Sequence, residues 1–590
     1  MRVLLRWIIP ALLLPLAACD GGTSGGAPAD AIALSDLSCS VEGVNTDPFT
    51  ATDALADNAA DHEIAGDYTY DEASATTISL AGTSATVTGS GAMASGGVVT
   101  IAAPGTYVVS GTLSDGQIVV DSPDDGVVQI VLAGASITSS TDSGIRVDQA
   151  DRAVLILADG TSNAVADALT YPATAEQNAA VWSDDDLSIG GSGSLTVTAS
   201  FEDGIASKDG LVIREGAITV TAPDEGIRGK DYLVVRGGTL DVTAGGDGLK
   251  SDEDEDADLG YVLLTDGTIT VQAGGDAVSA ETDALVTGGT LALRSGGGAG
   301  VTPDAEASAK ALKAGVLLVV DGGTLTMDAS DDGVHSDGDV VLNGGTMEIA
   351  TADDAVHAGT TLTVNGGELL VTQSYEGLES VLGDLIVNGG TITVSATDDG
   401  FNLAGDGDDP GGVQTPGDPY DMEFNGGRVT ITSGNDGIDS NGSIVMTGGC
   451  LAISGPVPGT RPEQGAIDYN GDFEITGGVL VATGAAGRHA QTPSASSSQP
   501  TLAITFSSAQ SAGTVVSVQN GPDALAVAPG KTFQSVVVSA PWLSPGDAAS
   551  LYRGGTVTGS TDALSDGGTL DGSTLLETVT LSSAITSVTL

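Results

Sequence analysis

The stretch from Asp331 to Val371, DDGVHSDGDVVLNGGTMEIATADDAVHAGTTLTVNGGELLV, says the same thing twice. Asp332 and Asp354, His335 and His357, Asn343 and Asn365, and Gly345 and Gly367 each stand 22 positions apart. After each glycine pair comes a threonine or glutamate and then apolar residues at every second position, Met347/Ile349 and Leu369/Val371. That alternation marks a half-buried strand. A second pair precedes the next glycines, Val340/Leu342 and Leu362/Val364, and a third apolar residue, Val334 or Val356, follows the acid. Each unit therefore supplies three short strands and about five inward apolar side chains.

Along the chain the marker glycines are Gly193, Gly216, Gly238, Gly267, Gly289, Gly323, Gly345, Gly367, Gly390, Gly427, Gly449 and Gly478. Their spacings are 23, 22, 29, 22, 34, 22, 22, 23, 37, 22 and 29, a fixed period with insertions. This is the signature of a solenoid. No unit carries a helical apolar pattern, so a leucine-rich repeat fits poorly. An all-β parallel β-helix with about 22 residues per rung fits well. Asn343, Asn365, Asn388 and Asn425 precede the glycines by two and read as a stacked amide ladder. The looser stretch from Thr76 to Asp159 is expected to cap and begin the coil. The domain reading is a signal peptide at 1–18, a tether and N-terminal segment at 19–60, the β-helix at 61–483, a linker at 484–500 and a small C-terminal β module or cap at 501–590.

With 18 Lys+Arg against 79 Asp+Glu, the formal charge is −61. Such an excess disfavours nucleic acid and bare anionic membrane as partners and favours cations, oxygen-seeking Ca²⁺ above all. Arg2 and Arg6 precede an apolar run, and Leu16-Ala17-Ala18-Cys19 resembles a bacterial lipobox, which implies lipidation of Cys19 after removal of residues 1–18. The protein is thus expected to be an exported cell-envelope lipoprotein and a monomer, touching the membrane through its lipid anchor only. Cys39 and Cys450 remain, and their spacing leaves a disulfide and two separate thiols equally open.

Equivalent positions of successive rungs form lines on the surface. Nine places after the marker glycine, and one place later at Asp203, lies an acidic column, read as metal ligands: Asp203, Glu225, Asp247, Asp276, Asp332, Asp354, Glu376, Asp399 and Asp436. Carboxylates on adjacent rungs stand about 5 Å apart and repel by roughly 1 kcal/mol per pair even in water-like dielectric, so the column calls for cations. Three places further on runs a mixed column that includes Arg228, Lys250, Ser279, Lys313, His335, His357, Glu379, Asn402 and Asp439. An insertion puts Lys310 in the acidic line, where Lys310, Lys250 and Arg228 answer part of the repulsion. Ca²⁺ is expected to answer the remainder. The competing reading makes each Asp-Gly a turn whose carboxylate caps backbone N–H groups. The acidic run Asp252–Asp256 and the group Asp406, Asp408 and Asp409 read as solvated loops, with Ca²⁺ capture as the alternative. His335 and His357 should stack on adjacent rungs; two histidines without a third soft ligand make a weak zinc signal, and a structural or sugar-contacting role is favoured.

The order Asp203-Gly204-Ile205-Ala206-Ser207-Lys208-Asp209, Glu225-Gly226-Ile227-Arg228-Gly229-Lys230-Asp231, Lys310-Ala311-Leu312-Lys313, Asp332-Gly333-Val334-His335 and Glu376-Gly377-Leu378-Glu379 resembles the bacterial carbohydrate-binding domain-containing family of secreted proteins. The resemblance implies a right-handed parallel β-helix, bound Ca²⁺ and attachment to plant cell-wall polysaccharide such as polygalacturonate or cellulose, without established catalysis. Ala277, Ala311 and Ala355 depart from the glycine that follows the acid. The leading expectation is a non-catalytic binder of acidic polysaccharide, with Lys250, Lys310, Lys313, His335, His357 and Glu379 at the sugar. Beyond the signal region only Trp182 and Trp542 offer tryptophan faces, which ranks cellulose second. The alternatives are a Ca²⁺-dependent polysaccharide lyase using one of the lysines as base, and a structural or adhesive envelope β-helix.

Overall fold

The computed structural model describes residues 31–37, 39, 43–302, 308–405, 419–461, 464–487, 490–559, 564–582 and 584–590. The expected signal peptide, the lipidation site Cys19, the tether and the acidic group at 406–409 lie outside these residues. The chain is all-β, with long parallel sheets built by stacking like strands of successive units, the arrangement of a β-solenoid. Val334 pairs with Val356 and that with Leu378, while Leu325 pairs with Met347 and that with Leu369. These residues are among the most deeply buried in the protein. Ile227, Leu249, Val278, Leu312, Val334, Val356, Leu378 and Phe401 form one such interior column, in which small aliphatic side chains dominate because each must fit beneath its equivalent on the next strand.

Among the described residues the coil has three faces. A 16-stranded sheet of short strands runs from Ala92–Ser95 to Ile467–Tyr469. The other two diverge from the long strand Val127–Thr138, whose first half pairs with Arg152–Leu157 and whose second half pairs with Ser162–Ala166. The turn between them closes on a left-handed residue, with φ of +91° at Gly238 and +85° at Gly345, so the marker glycine is required there. At the first marker the turn is made differently, and Gly191 rather than Gly193 takes the positive φ. Ala277, Ala311 and Ala355 are buried without disturbing register. The asparagine ladder forms as expected: Asn365 donates to Asn343, Asn388 to Asn365, and Asn425 to Asn388.

The N-terminal segment is a strap that runs the length of the coil in the reverse direction. Ile32–Ala33 pairs antiparallel with Thr569–Leu570, Val44 N–H donates to the Asn388 carbonyl, and Asn58 donates to Asp283. Arg236 then meets Asp61 and Glu63, and Arg152 meets Asp67. A capped turn of helix, Ala51–Ala54, buries its alanines against Val212, Val234, Leu263, Leu285 and Val319, which face outward from one sheet. The strap is fastened by a disulfide between Cys39 and Cys450, which decides between the two states left open by sequence.

At the far end, Ser494 and Ser497 hydrogen-bond Phe473 and Ile475, so the stretch at 484–500 covers the last rung of the short-strand sheet and its neighbour. Beyond it the strands pair mostly antiparallel, including the four-stranded sheet formed by Val516–Asn520, Asp523–Val527, Ala548–Arg553 and Thr574–Thr580.

Candidate functional site

Insertions single out one face. The turns at 236–238, 265–267, 287–289, 321–323, 343–345 and 365–367 all have the same length. By contrast the segments at 167–178, 252–260, 296–311 and 455–466, which vary in length, all adjoin the short-strand sheet. Variable loops on a regular scaffold mark the face that does specific work. The strap covers a second face, and the short-strand sheet is the one these insertions flank.

Both predicted columns lie on or beside this sheet. The mixed column is in register: Arg228 is followed by Lys250, Ser279, Lys313, His335, His357, Glu379, Asn402, Asp439 and Asp468 on adjacent strands. The acidic column flanks it as an inter-rung ladder. Asp203 accepts from Glu225 N–H, Glu225 from Asp247 N–H (2.8 Å), Asp247 from Asp276 N–H (2.8 Å), and Asp276 from Lys310 N–H (2.7 Å). Further on, Asp332 accepts from Asp354 N–H, Asp399 from Asp436 N–H (2.7 Å) and Asp436 from Gly465 N–H (2.6 Å). The carboxylates therefore do cap backbone donors, but those of the next rung rather than of their own turn. One oxygen of such a group is spent on the ladder, leaving the other for a cation or a side-chain donor.

The lysines serve the first half of the column. Lys250 Nζ lies 2.6 Å from Glu225 and 2.9 Å from Asp247, and Lys313 lies 3.5 Å from Asp276. Lys310 continues the ladder through its backbone and sends its ammonium to Asp331 and Asp332. The Arg228 guanidinium reaches to Asp252, although its charge still opposes the rise of Asp203, and Lys230 pairs with the buried Glu253, so the start of the acidic run at 252–256 is a pinned wall rather than a solvated loop.

In the middle of the face His335 and His357 stack with ring centroids 4.7 Å apart and planes 6° from parallel. His335 Nδ1 is 2.7 Å from Asp332; His357 Nδ1 is 3.3 Å from Asp354 and 2.6 Å from Glu379. Burial alone would lower the His357 pKa, but its hydrogen bonds with Asp354 and Glu379 push it up to about 10. Burial alone would raise Asp332, yet His335 and the Lys310 charge hold it below the usual range.

The second half is the more acidic. Glu376, Asp398 and Asp399 bring oxygens within 4.8 Å of one another, and so do Asp399, Asp436 and Asp439. Arg461, from an insertion, reaches Asp398 at 2.8 Å. Burial, and then repulsion among neighbouring acids, raises Glu376 to about 9 and Asp399 to about 7. Burial likewise raises Asp436 to about 8 and, at the other end of the column, Asp203 to about 7. Hard oxygens packed this closely are a donor set for Ca²⁺. Tyr375, 47% exposed, presents its ring beside Asp398. Trp182 is buried and Trp542 partly so. Asp331, Asp398 and Tyr375 extend the site beyond the predicted columns; Asp331 and Asp398 each directly precede a column acid, whereas Arg461 sits outside the repeat and carries no signal.

The profile of the family described as carbohydrate-binding domain-containing protein matches residues 95–355 and 354–530, most of the chain. The chain belongs to this family. A member from Acetivibrio thermocellus is 41% identical over 128 residues, 21% of this chain and 45% of that protein, so the match spans about half of the relative's length. The chain is also similar, at 34% identity and a TM-score of 0.35, to the gadolinium derivative of a polysaccharide lyase-like protein from C. thermocellum, covering 37% of this chain and 90% of that one.

Proposed function

We propose that this member of the carbohydrate-binding domain-containing family is a non-catalytic, Ca²⁺-dependent binder of acidic polysaccharide of the polygalacturonate kind. In this reading a right-handed coil of 22-residue rungs, held at the cell envelope by lipidated Cys19, lays its short-strand sheet along the polymer. The observation that carries the reading is the pair of oxygen clusters sharing Asp399, Glu376/Asp398/Asp399 and Asp399/Asp436/Asp439, on the face walled by insertions. Ca²⁺ seated there retains coordination positions for sugar carboxylates and so bridges two anionic surfaces that would otherwise repel. In the same reading Lys313 and the exposed ring of Tyr375 contact the polymer directly.

Lyase chemistry is the poorer fit for Lys250 and Lys310. A lysine acting as base must be neutral, but Lys250 and Lys310 are each held by two carboxylates, and these contacts raise their pKa against the opposing effect of burial. Cellulose is also disfavoured, since Trp182 is buried and Trp542 partly buried. Incubation with polygalacturonate and Ca²⁺, followed by ultraviolet absorbance, tests the point: retention of polymer without unsaturated product is expected, and accumulation of unsaturated product would replace this reading with a lyase.

A further inference from the structure

We propose that Asp354, His357 and Glu379 bind a transition-metal ion of the Zn²⁺ class, at a position separate from the Ca²⁺ clusters around Asp399. Only four histidines occur in the chain, and two of them stand in register on adjacent strands within an otherwise oxygen-rich stripe. One ligand atom from each of Asp354, His357 and Glu379 falls within 4.8 Å of the others. The His357 Nδ1–Asp354 separation of 3.3 Å is already the ligand-to-ligand edge of a tetrahedral site, about 3.3 Å for metal–ligand bonds of about 2.0–2.1 Å. The Nδ1–Glu379 edge, 2.6 Å, is a hydrogen bond; it opens by roughly 0.7 Å when the proton between the two groups is exchanged for the ion.

An imidazole nitrogen separates this set from the all-carboxylate clusters around Asp399. Ca²⁺ takes oxygen ligands, whereas a site of one nitrogen and two carboxylates suits Zn²⁺, Co²⁺ or Cu²⁺. Two carboxylates and a neutral imidazole also balance a divalent charge. His335 stacks on the His357 ring and is itself tethered by Asp332 and Asp337. That stacking fixes the ring that carries the ligand atom, the part an orienting neighbour plays around a metal. Three protein ligands leave a fourth position for water or for an oxygen of a bound sugar.

The test is calorimetric titration of the chelator-stripped full chain with Zn²⁺ in saturating Ca²⁺, with the visible spectrum of the Co²⁺ form as an independent readout. One equivalent is expected to bind, with affinity falling about 100-fold in His357→Gln and in Glu379→Gln, and a tetrahedral Co²⁺ band is expected to vanish in both. Melting curves and Ca²⁺ titration of the two variants verify that the coil and the Asp399 clusters persist, so failure here leaves the Ca²⁺ reading standing. Equal Zn²⁺ affinity in the native chain and both variants, or Zn²⁺ displaced by Ca²⁺ alone, would overturn the proposal.

Discussion

Cys39 and Cys450 are joined across 411 positions of sequence, fastening the strap to the outer face of the strand Cys450–Ser454. Closing so long a loop removes much conformational freedom from the unfolded chain, a stabilisation of about 2–4 kcal/mol for a native disulfide. In Cys39→Ser/Cys450→Ser, the strap between Val44 and Asp67 should become protease-sensitive under conditions where the coil stays intact. Limited proteolysis with mass mapping measures this, and equal cleavage rates in the variant and the native chain would show that the ion pairs of Asp61, Glu63 and Asp67 hold the strap unaided.

The buried acids set the sign of the pH dependence. Asp203, Glu376, Asp399 and Asp436 have folded pKa values of about 7 to 9, above their unfolded values near 4, so the folded state retains protons that the unfolded state releases. Their stabilising contribution is complete below about pH 4 and is lost as pH rises through 7 to 9. His357, also raised, acts in the same sense, and Asp332 opposes it. Thermal melts in EDTA should therefore show a lower Tm at pH 9 than at pH 5, with Ca²⁺ restoring much of the difference. A Tm that rises between these values would contradict the assignment.

Lys250 supplies a built-in cation for Glu225 and Asp247. Lys250→Ala leaves two half-buried carboxylates facing one another, a cost of about 1–2 kcal/mol once partial exposure is allowed for. The metal-free variant should melt below the native chain, and the increment gained on adding CaCl₂ should be larger. Identical melting of the two in EDTA would mean the ammonium is merely solvated there.

The repeat made much of this legible. Glycine spacing gave the turn, alternation gave the strands, and a fixed offset gave both columns, because in a solenoid one sequence period is one step along the surface. His335 beside His357 and the Asn343–Asn425 ladder follow directly from it. Contacts outside the period were invisible. The strap has no repeat to register it against the coil, so neither the disulfide nor the coverage of Val234 and Leu263 by Ala51 and Ala54 could be read. Offset also fixes where a residue stands but not which way a long side chain reaches. Arg228 thus reaches to Asp252, while Lys310 serves the column twice, through its backbone and its ammonium.

In the proposed function the carboxylates around Asp399 hold Ca²⁺ between the protein and an acidic polymer. Calorimetry of the full chain with Ca²⁺, then with polygalacturonate, repeated in chelator and with Asp399→Asn, tests it most directly. Polymer binding should require Ca²⁺ and fall at least about tenfold in the variant, since Asp399 belongs to both clusters. Polymer binding of equal strength in chelator and in Asp399→Asn would contradict the claim.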